Sequence, residues 1–105
     1  MADLSDFFTN YLPGKLEKNP DLAGEINAIY VFDVADFGQY TVDLTSGSGS
    51  VAEGGHDNPG CTVSAAKADF EGLLDNPSSG TMMFMTGKLK VTNVGLAMAL
   101  QKLLS

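Results

Sequence analysis

The sequence predicts an α+β fold in which helices pack on one face of a mostly antiparallel sheet. Two observations lead to this prediction. Segments with apolar residues at helical spacing lie at both ends and in the second half of the 105-residue chain. Between them lie short segments that are rich in β-branched and aromatic residues and are separated by glycine-containing turns, as is typical of strands. The length corresponds to a single domain over residues 1–105.

The first element is a predicted helix over residues 2–16, whose apolar side chains repeat at helical spacing and form one broad face. We expect Pro13 and Gly14 to end or kink this helix, because proline lacks the amide donor that a helix interior needs. A short, broken set of helical turns is expected to follow over residues 15–24.

The middle of the chain predicts an antiparallel hairpin followed by two shorter strands. Residues 29–34 are β-branched and aromatic, and residues 39–45 alternate between apolar and polar side chains. Residues 36–38 form the turn between these two strands. Brief third and fourth strands are expected at residues 50–53 and 61–64. The first three strands would form a meander with one dry face and one wet face.

The second half of the chain predicts a helix, a loop, a second helical segment and a last strand. Residues 65–74 show helical spacing, and Ser64 occupies the position of an N-cap. Residues 81–85 have no clear period, and their position after a proline favours a helix. Residues 88–92 alternate as a half-exposed strand.

The final helix is predicted over residues 94–104, with Asn93 as its N-cap, and it is apolar almost all round. A surface helix needs only one apolar stripe, and a helix of about eleven residues is too short to span a bilayer. It must therefore be covered on most sides or line an apolar space. Together with residues 82–85, this helix gives the C-terminal third of the chain many flexible methionine and leucine side chains. That composition suits either a filled core or an adaptable ligand site.

The charge and the targeting signals limit the possible functions. The formal charge is −7, from 13 acidic and 6 basic residues, which disfavours nucleic acid as a partner and weakens attraction to anionic membranes. No signal-peptide pattern opens the chain, no apolar run reaches membrane-spanning length, and the last three residues are not a peroxisomal signal. We expect a cytoplasmic protein.

The residues that could support catalysis form no recognisable site. His56 lies in a glycine-rich polar loop without a nucleophile motif, so we interpret it as a solvated loop residue. Cys61 is expected to be a small buried core residue. One histidine and one cysteine cannot build a structural zinc site. Asp33, Asp36 and Asp43 lack the spacing of a calcium loop and are interpreted as a solvated face.

A resemblance to a known family rests on three C-terminal stretches, GKLKVT at residues 87–92, GLAM at 95–98 and LQ at 100–101. They are similar to the C-terminal signature of the sterol carrier protein-2 family. The first two predicted strands, and the strand-into-helix segment over residues 61–74, resemble the family in the same order. The resemblance therefore covers nearly the whole chain.

This resemblance implies a five-stranded sheet covered by helices, with an apolar tunnel between the two layers. It implies binding of fatty acids, fatty acyl-CoA, sterols or phospholipids, with no cofactor and no enzymatic activity. The expected partners are a lipid, no nucleic acid and at most a transient membrane contact, and the expected state is a monomer or a weak dimer. We expect Gln101 to lie near the lipid head group. The predicted ligand-binding residues are Phe8, Phe32, Phe70, Leu74, Met83, Phe84, Leu96, Met98, Leu100 and Gln101.

Three other interpretations of the sequence stay open. The first is an interaction module whose apolar space is filled by its own side chains and whose last helix docks a partner or a second copy. An enzyme that uses His56 and Cys61 is the second interpretation. The third is an accessory domain that presents lipid to an enzyme.

Overall fold

Five strands form one mixed sheet in the computed structural model, which describes residues 4–45, 47, 49–76 and 79–99. The strands are β1 (Ile29–Ala35), β2 (Gly38–Asp43), β3 (Ser50–Glu53), β4 (Cys61–Ala66) and β5 (Leu89–Val91). Their order across the sheet is β3-β2-β1-β4-β5. Three of the neighbouring pairs are antiparallel, and β1 and β4 are parallel. The predicted five-stranded, mostly antiparallel α+β fold is confirmed.

Alternation along the strands gives the sheet two different faces. Phe32 of β1 lies beside Tyr40 of β2 and Val63 of β4, all on the inner face. The neighbouring residue Asp33 faces the other way. It lies beside Ser64 of β4, which in turn pairs with a lysine of β5. The inner face therefore carries the apolar core, whereas the outer face is largely polar.

The helices supply the second layer, and their apolar side chains join those of the inner face in one buried cluster. They are α1 (Leu4–Asp6), a π-helical segment (Phe7–Tyr11), α2 (Leu12–Lys18), α3 (Asp21–Ile26), α4 (Lys67–Asp75), α5 (Gly80–Met85) and α6 (Val94–Ala99). Within the part of the chain that the structure describes, no helix is both long and apolar enough to cross a membrane.

The first helical stretch does not end at Pro13 and Gly14 but continues without interruption to Lys18. Immediately before the proline, the helix widens into the π-helical segment, and the Leu12 amide donates to the Phe7 carbonyl. Pro13 follows just after this segment, so the widened turn lies where a proline would otherwise disrupt the helix. We expected a broken set of turns over residues 15–24. The first four of these residues belong to α2 instead, and α3 forms the next helix.

The boundary between β4 and α4 also differs from the prediction. Ser64 is not a helix cap, because it is paired within the sheet, and the strand continues to Ala66. Parallel pairing of Ala66 with Ala35 holds this residue extended, at φ −70° and ψ 153°, and the helix begins at Lys67. The local preference of serine for an N-cap is overridden by the pairing of β4 with a distant strand.

The remaining predicted elements are present with shifts of one or two residues at their ends. The aperiodic methionine segment forms α5, which confirms the helix favoured there. The last strand is shortened to Leu89–Val91. The last helix begins at Val94 as predicted and is described to Ala99, so the remainder of the predicted helix lies outside the described residues.

Candidate functional site

Three of the predicted ligand-binding residues form the centre of the buried core. The ring centroids of Phe8, Phe32 and Phe70 lie 5.4 Å, 5.6 Å and 6.0 Å apart. Phe8 also stacks on Tyr40, with centroids 4.4 Å apart and ring planes within 3° of parallel. All three phenylalanines are fully buried. This part of the space between helices and sheet is filled by the protein's own aromatic side chains.

A set of half-buried apolar side chains, here called the half-buried layer, packs against the outside of this core. Leu74, Met83 and Leu96 pack against the core without being enclosed by it. All three are residues of the predicted site, and they come from α4, α5 and α6.

Two glycines make room for the side chains of this layer. A Cβ atom at Gly60 would lie 3.1 Å from Cδ1 of Leu96, which is closer than most real contacts. A Cβ atom at Gly72 would lie 3.5 Å from the terminal methyl of Met83, which is an ordinary contact distance. The position of Leu96 therefore depends on a glycine at residue 60.

Two other predicted ligand-binding residues are exposed to solvent. Phe84 of α5 is 42% exposed and Met98 of α6 is 68% exposed. Neither α5 nor α6 has a buried residue along its described length. The last two predicted residues, Leu100 and Gln101, lie outside the described residues.

The start of α6 is held on the sheet by a buried tyrosine that the sequence analysis did not single out. The Tyr30 hydroxyl donates to the Leu96 carbonyl at 2.6 Å. The pKa of Tyr30 is raised to about 12, mainly by burial and to a smaller extent by the neighbouring Cys61 thiol. The phenol is thus neutral at ordinary pH and available as a donor. An inward-facing tyrosine on an apolar strand needs a partner for its hydroxyl. This requirement was the signal in the sequence that could have pointed to a hydrogen bond between Tyr30 and another element.

Asn93 adds two contacts at the same place and confirms its predicted role as the N-cap. Its Oδ1 accepts a hydrogen bond from the Leu96 amide at 3.1 Å. Its carbonyl accepts one from the Cys61 thiol at 3.5 Å. Cys61 is fully buried, as predicted. Together with Tyr30, these residues fix the orientation in which α6 leaves the sheet.

The polar residues considered for catalysis have local structural contacts. His56 lies in an exposed loop, where its Nδ1 accepts a hydrogen bond from the Asn58 amide at 3.0 Å. The Asp43 carboxylate accepts hydrogen bonds from the Thr45 hydroxyl and amide, which lower the pKa of Asp43. These contacts shape the loop and the turn in which they occur.

The arrangement is suited to holding an apolar molecule. Among the residues that the structure describes, no polar or charged side chain other than tyrosine and cysteine is buried. The half-buried layer therefore offers carbon and sulfur atoms to a ligand, and its interior has no charged group that would hold a polar head.

Comparison with known proteins identifies the family. Residues 8–105 match a family model described as the SCP-2 sterol transfer family. The chain belongs to this family. Sterol carrier protein 2 of Homo sapiens, a family relative, is 34% identical over 108 residues, which cover 92% of this chain and 20% of the relative. The match to the SCP-2 family confirms the resemblance noted in the sequence.

Two further comparisons show the range of proteins in which this domain occurs. Hydroxysteroid dehydrogenase-like protein 2 of Rattus norvegicus is 37% identical over 82 residues, covering 74% of this chain and 16% of that protein. The apo form of Sterol Carrier Protein 2 from Yarrowia lipolytica has a similar structure, with a TM-score of 0.75 and 25% identity, over 94% of this chain and 81% of that chain. The chain spans about a fifth of the length of the first curated relatives it matches.

Proposed function

We propose that residues 1–105 form a carrier domain that binds one lipid by its apolar part and moves or presents it. The observation that carries this proposal is that Leu74, Met83 and Leu96 pack half-buried against a filled aromatic core, while α5 and α6 have no buried residue in their described parts. Membership of a sterol transfer family supports the same function.

The energetics of such a site favour broad specificity. Each methylene that leaves water contributes about 0.8 kcal/mol. A tail with roughly ten buried methylenes would therefore supply micromolar affinity even without a specific polar contact. Fatty acids, fatty acyl-CoA, sterols and phospholipids all present enough apolar surface, and we propose these classes as ligands.

We propose a specific position for the ligand. Its tail would contact Leu74, Met83 and Leu96, and Phe84 and Met98 would close over it after a small rotation of their side chains. The aromatic core would form the floor of the site. Leu100 would continue the lining, and Gln101 would lie near the head group. This arrangement uses all ten residues predicted from the sequence.

Lipid occupancy is tested by native mass spectrometry of gently purified protein and by displacement of a fluorescent fatty acid. We expect a copurified lipid mass and saturable displacement by unlabelled fatty acid. Absence of both would show that the domain's apolar space is filled by its own side chains, and the carrier proposal would be wrong.

Two neighbouring methionines of α5 provide a matched test of where the tail lies. Met83 packs against the core, whereas Met82 is exposed. Glutamine has nearly the shape of methionine but carries an amide that is costly to bury against a lipid tail. Met83→Gln should weaken fatty acid binding roughly tenfold or more, and Met82→Gln should leave it unchanged. Equal effects of the two variants would contradict the proposed position.

A further inference from the structure

A depression of about 430 Å³ lies on the outer face of the sheet, on the opposite side from the apolar core. Two carboxylates and two ammonium groups line it, and they belong to Asp33, Asp69, Lys88 and Lys90. Their charges cancel, so the depression is locally neutral although the chain carries a formal charge of −7. Its volume is within the range of small-molecule sites, roughly 300–1,000 Å³.

Strand pairing places three of the lining residues in one row across the sheet. Asp33 of β1 pairs with Ser64 of β4, and Ser64 pairs with Lys90 of β5. Alternation places all three side chains on the outer face. Adjacent strands lie about 4.8 Å apart, so the Cα atoms of Asp33 and Lys90 are roughly 10 Å apart. A carboxylate and an ammonium group thus stand on either side of a small serine.

The charged groups around the depression do not neutralise one another by direct contact. None of the four side chains forms an ion pair or a hydrogen bond with another residue that the structure describes. Exposed ion pairs contribute little to stability, so little energy draws these groups together across the depression. Both signs of charge are therefore available to a ligand.

Small residues keep the depression open. Ala35 pairs with Ala66 across β1 and β4, two residues along the strands from Asp33 and Ser64, and both alanines line the depression. Gly87 lies at its rim, where φ of +81° turns the chain from α5 towards β5. The floor therefore offers methyl groups beside the row that carries the two opposite charges.

We propose that this depression binds a free α-amino acid, a zwitterion whose ammonium and carboxylate groups share one carbon atom. The ligand ammonium group would contact the Asp33 carboxylate, and the ligand carboxylate would contact the Lys90 ammonium group. The two charged groups of an α-amino acid, with one charge-assisted hydrogen bond at each end, span roughly 9 Å. That span matches the separation of Asp33 and Lys90 in the row.

The balance of charge favours a zwitterion over a ligand that carries one sign alone. An anion attracted by the two lysines would be repelled by the two carboxylates, and a cation would meet the reverse. The Ser64 hydroxyl, between the charged side chains, can donate to the ligand carboxylate or accept from its ammonium group. The ligand side chain would lie over the methyl groups of Ala35 and Ala66, which suits an aliphatic amino acid such as leucine.

This inference goes beyond the proposed carrier function and does not depend on it. The lipid would lie against the apolar side chains that pack on the core, such as Met83. The amino acid would lie on the opposite face of the sheet, where Asp33 and Lys90 line the depression. Each site can therefore be changed without altering a residue of the other.

Titration of the ¹⁵N-labelled chain with L-leucine, followed through the amide chemical shifts, tests the proposal. We expect saturable shifts centred on Ser64, Ala66 and Lys90. L-leucinamide lacks the carboxylate and N-acetyl-L-leucine lacks the ammonium group, so each should bind at least roughly fivefold more weakly than leucine. Absence of saturable shifts, or equal affinity for the three compounds, would overturn the proposal.

Two pairs of matched variants test the position of the ligand. Asp33→Asn and Lys90→Gln each remove one charge with little change of shape and should weaken leucine binding at least roughly fivefold. Asp36→Asn and Lys67→Gln make the same changes at exposed positions that do not line the depression, and they should bind as the intact chain does. Equal effects within each pair would show that only the overall charge matters, and the proposal would be wrong.

A second readout separates this site from the lipid site. Displacement of a fluorescent fatty acid should be the same for Asp33→Asn as for the intact chain, because Asp33 faces away from the core. Failure of the chain to bind any fatty acid, with leucine binding intact, would contradict the carrier function alone. Loss of fatty acid affinity in Asp33→Asn would mean that the two faces are not separate sites, and would overturn this inference.

Discussion

Two regions of this molecule have similarly apolar helices but use them differently. The helices before residue 76 bury large side chains such as Phe8, Leu12 and Phe70 against the sheet. The two helices after residue 79 have no buried residue in their described parts, although they contain four methionines, one leucine and one phenylalanine. The first region supplies the stability of the fold. The second is held by half-buried packing of residues such as Met83 and Leu96 and by a few hydrogen bonds, and several of its large apolar side chains are exposed.

The largest expected effect on stability lies in the first region. Phe8→Ala should lower the free energy of unfolding by about 3–5 kcal/mol, since it removes a fully buried ring that contacts five other rings. Phe84→Ala makes the same chemical change in the second region, where it should cost only about 1 kcal/mol because the ring is 42% exposed. Urea denaturation of both variants measures the difference. Similar losses would show that the two regions do not differ as described.

A smaller effect is expected where the two regions meet. Tyr30→Phe removes the hydrogen bond to the Leu96 carbonyl and should cost about 1–2 kcal/mol. Amide hydrogen exchange should show that protection falls most in α6, because this bond holds that helix on the sheet. Uniform loss of protection across the molecule would mean that Tyr30 supports the core as a whole and has no special role at α6.

The same tyrosine predicts a pH dependence. Its pKa is raised from 10.0 to about 12, so the unfolded chain loses this proton first as the pH rises. The contribution of Tyr30 to stability should be complete below pH 10 and be lost progressively between pH 10 and about 12. The difference in unfolding free energy between the intact chain and Tyr30→Phe should shrink across this range. A constant difference would contradict the assignment.

The smallest expected effect concerns the cap of α6. Asn93→Ala removes the acceptor for the Leu96 amide and should cost about 1 kcal/mol or less. Asn93→Ser keeps a side-chain oxygen that can accept this bond and should restore most of the loss. Thermal unfolding of the pair provides the measurement, and equal destabilisation by alanine and serine would argue against a capping role.

The features that the sequence predicted well are those set by local patterns. The hairpin of β1 and β2 follows from alternation, which also determines that Phe32 and Tyr40 face inward. The helix α5 and the cap at Asn93 also depend on residues close in sequence. Cys61 is buried as expected because it lies on the inner face of β4.

The features that the sequence could not predict depend on residues far apart in the chain. The end of β4 is set by its pairing with β1, so the local cap preference of Ser64 was misleading. The bond from Tyr30 to Leu96 joins residues 66 positions apart. Apolar character alone could not distinguish Phe8, which is enclosed, from Phe84, which is exposed, because burial depends on how the helices pack together.

The shortness of β5 has a consequence for the timing of the proposed lipid exchange. This edge strand has three residues and pairs with β4 alone, through a single ladder. Segments with few enclosed contacts open locally at a much lower free energy than the whole domain. We therefore expect α5, β5 and α6 to open as one cooperative unit while the rest of the sheet stays closed. The lifetime of a bound lipid would then be set by the opening rate of that unit, and would be independent of global unfolding.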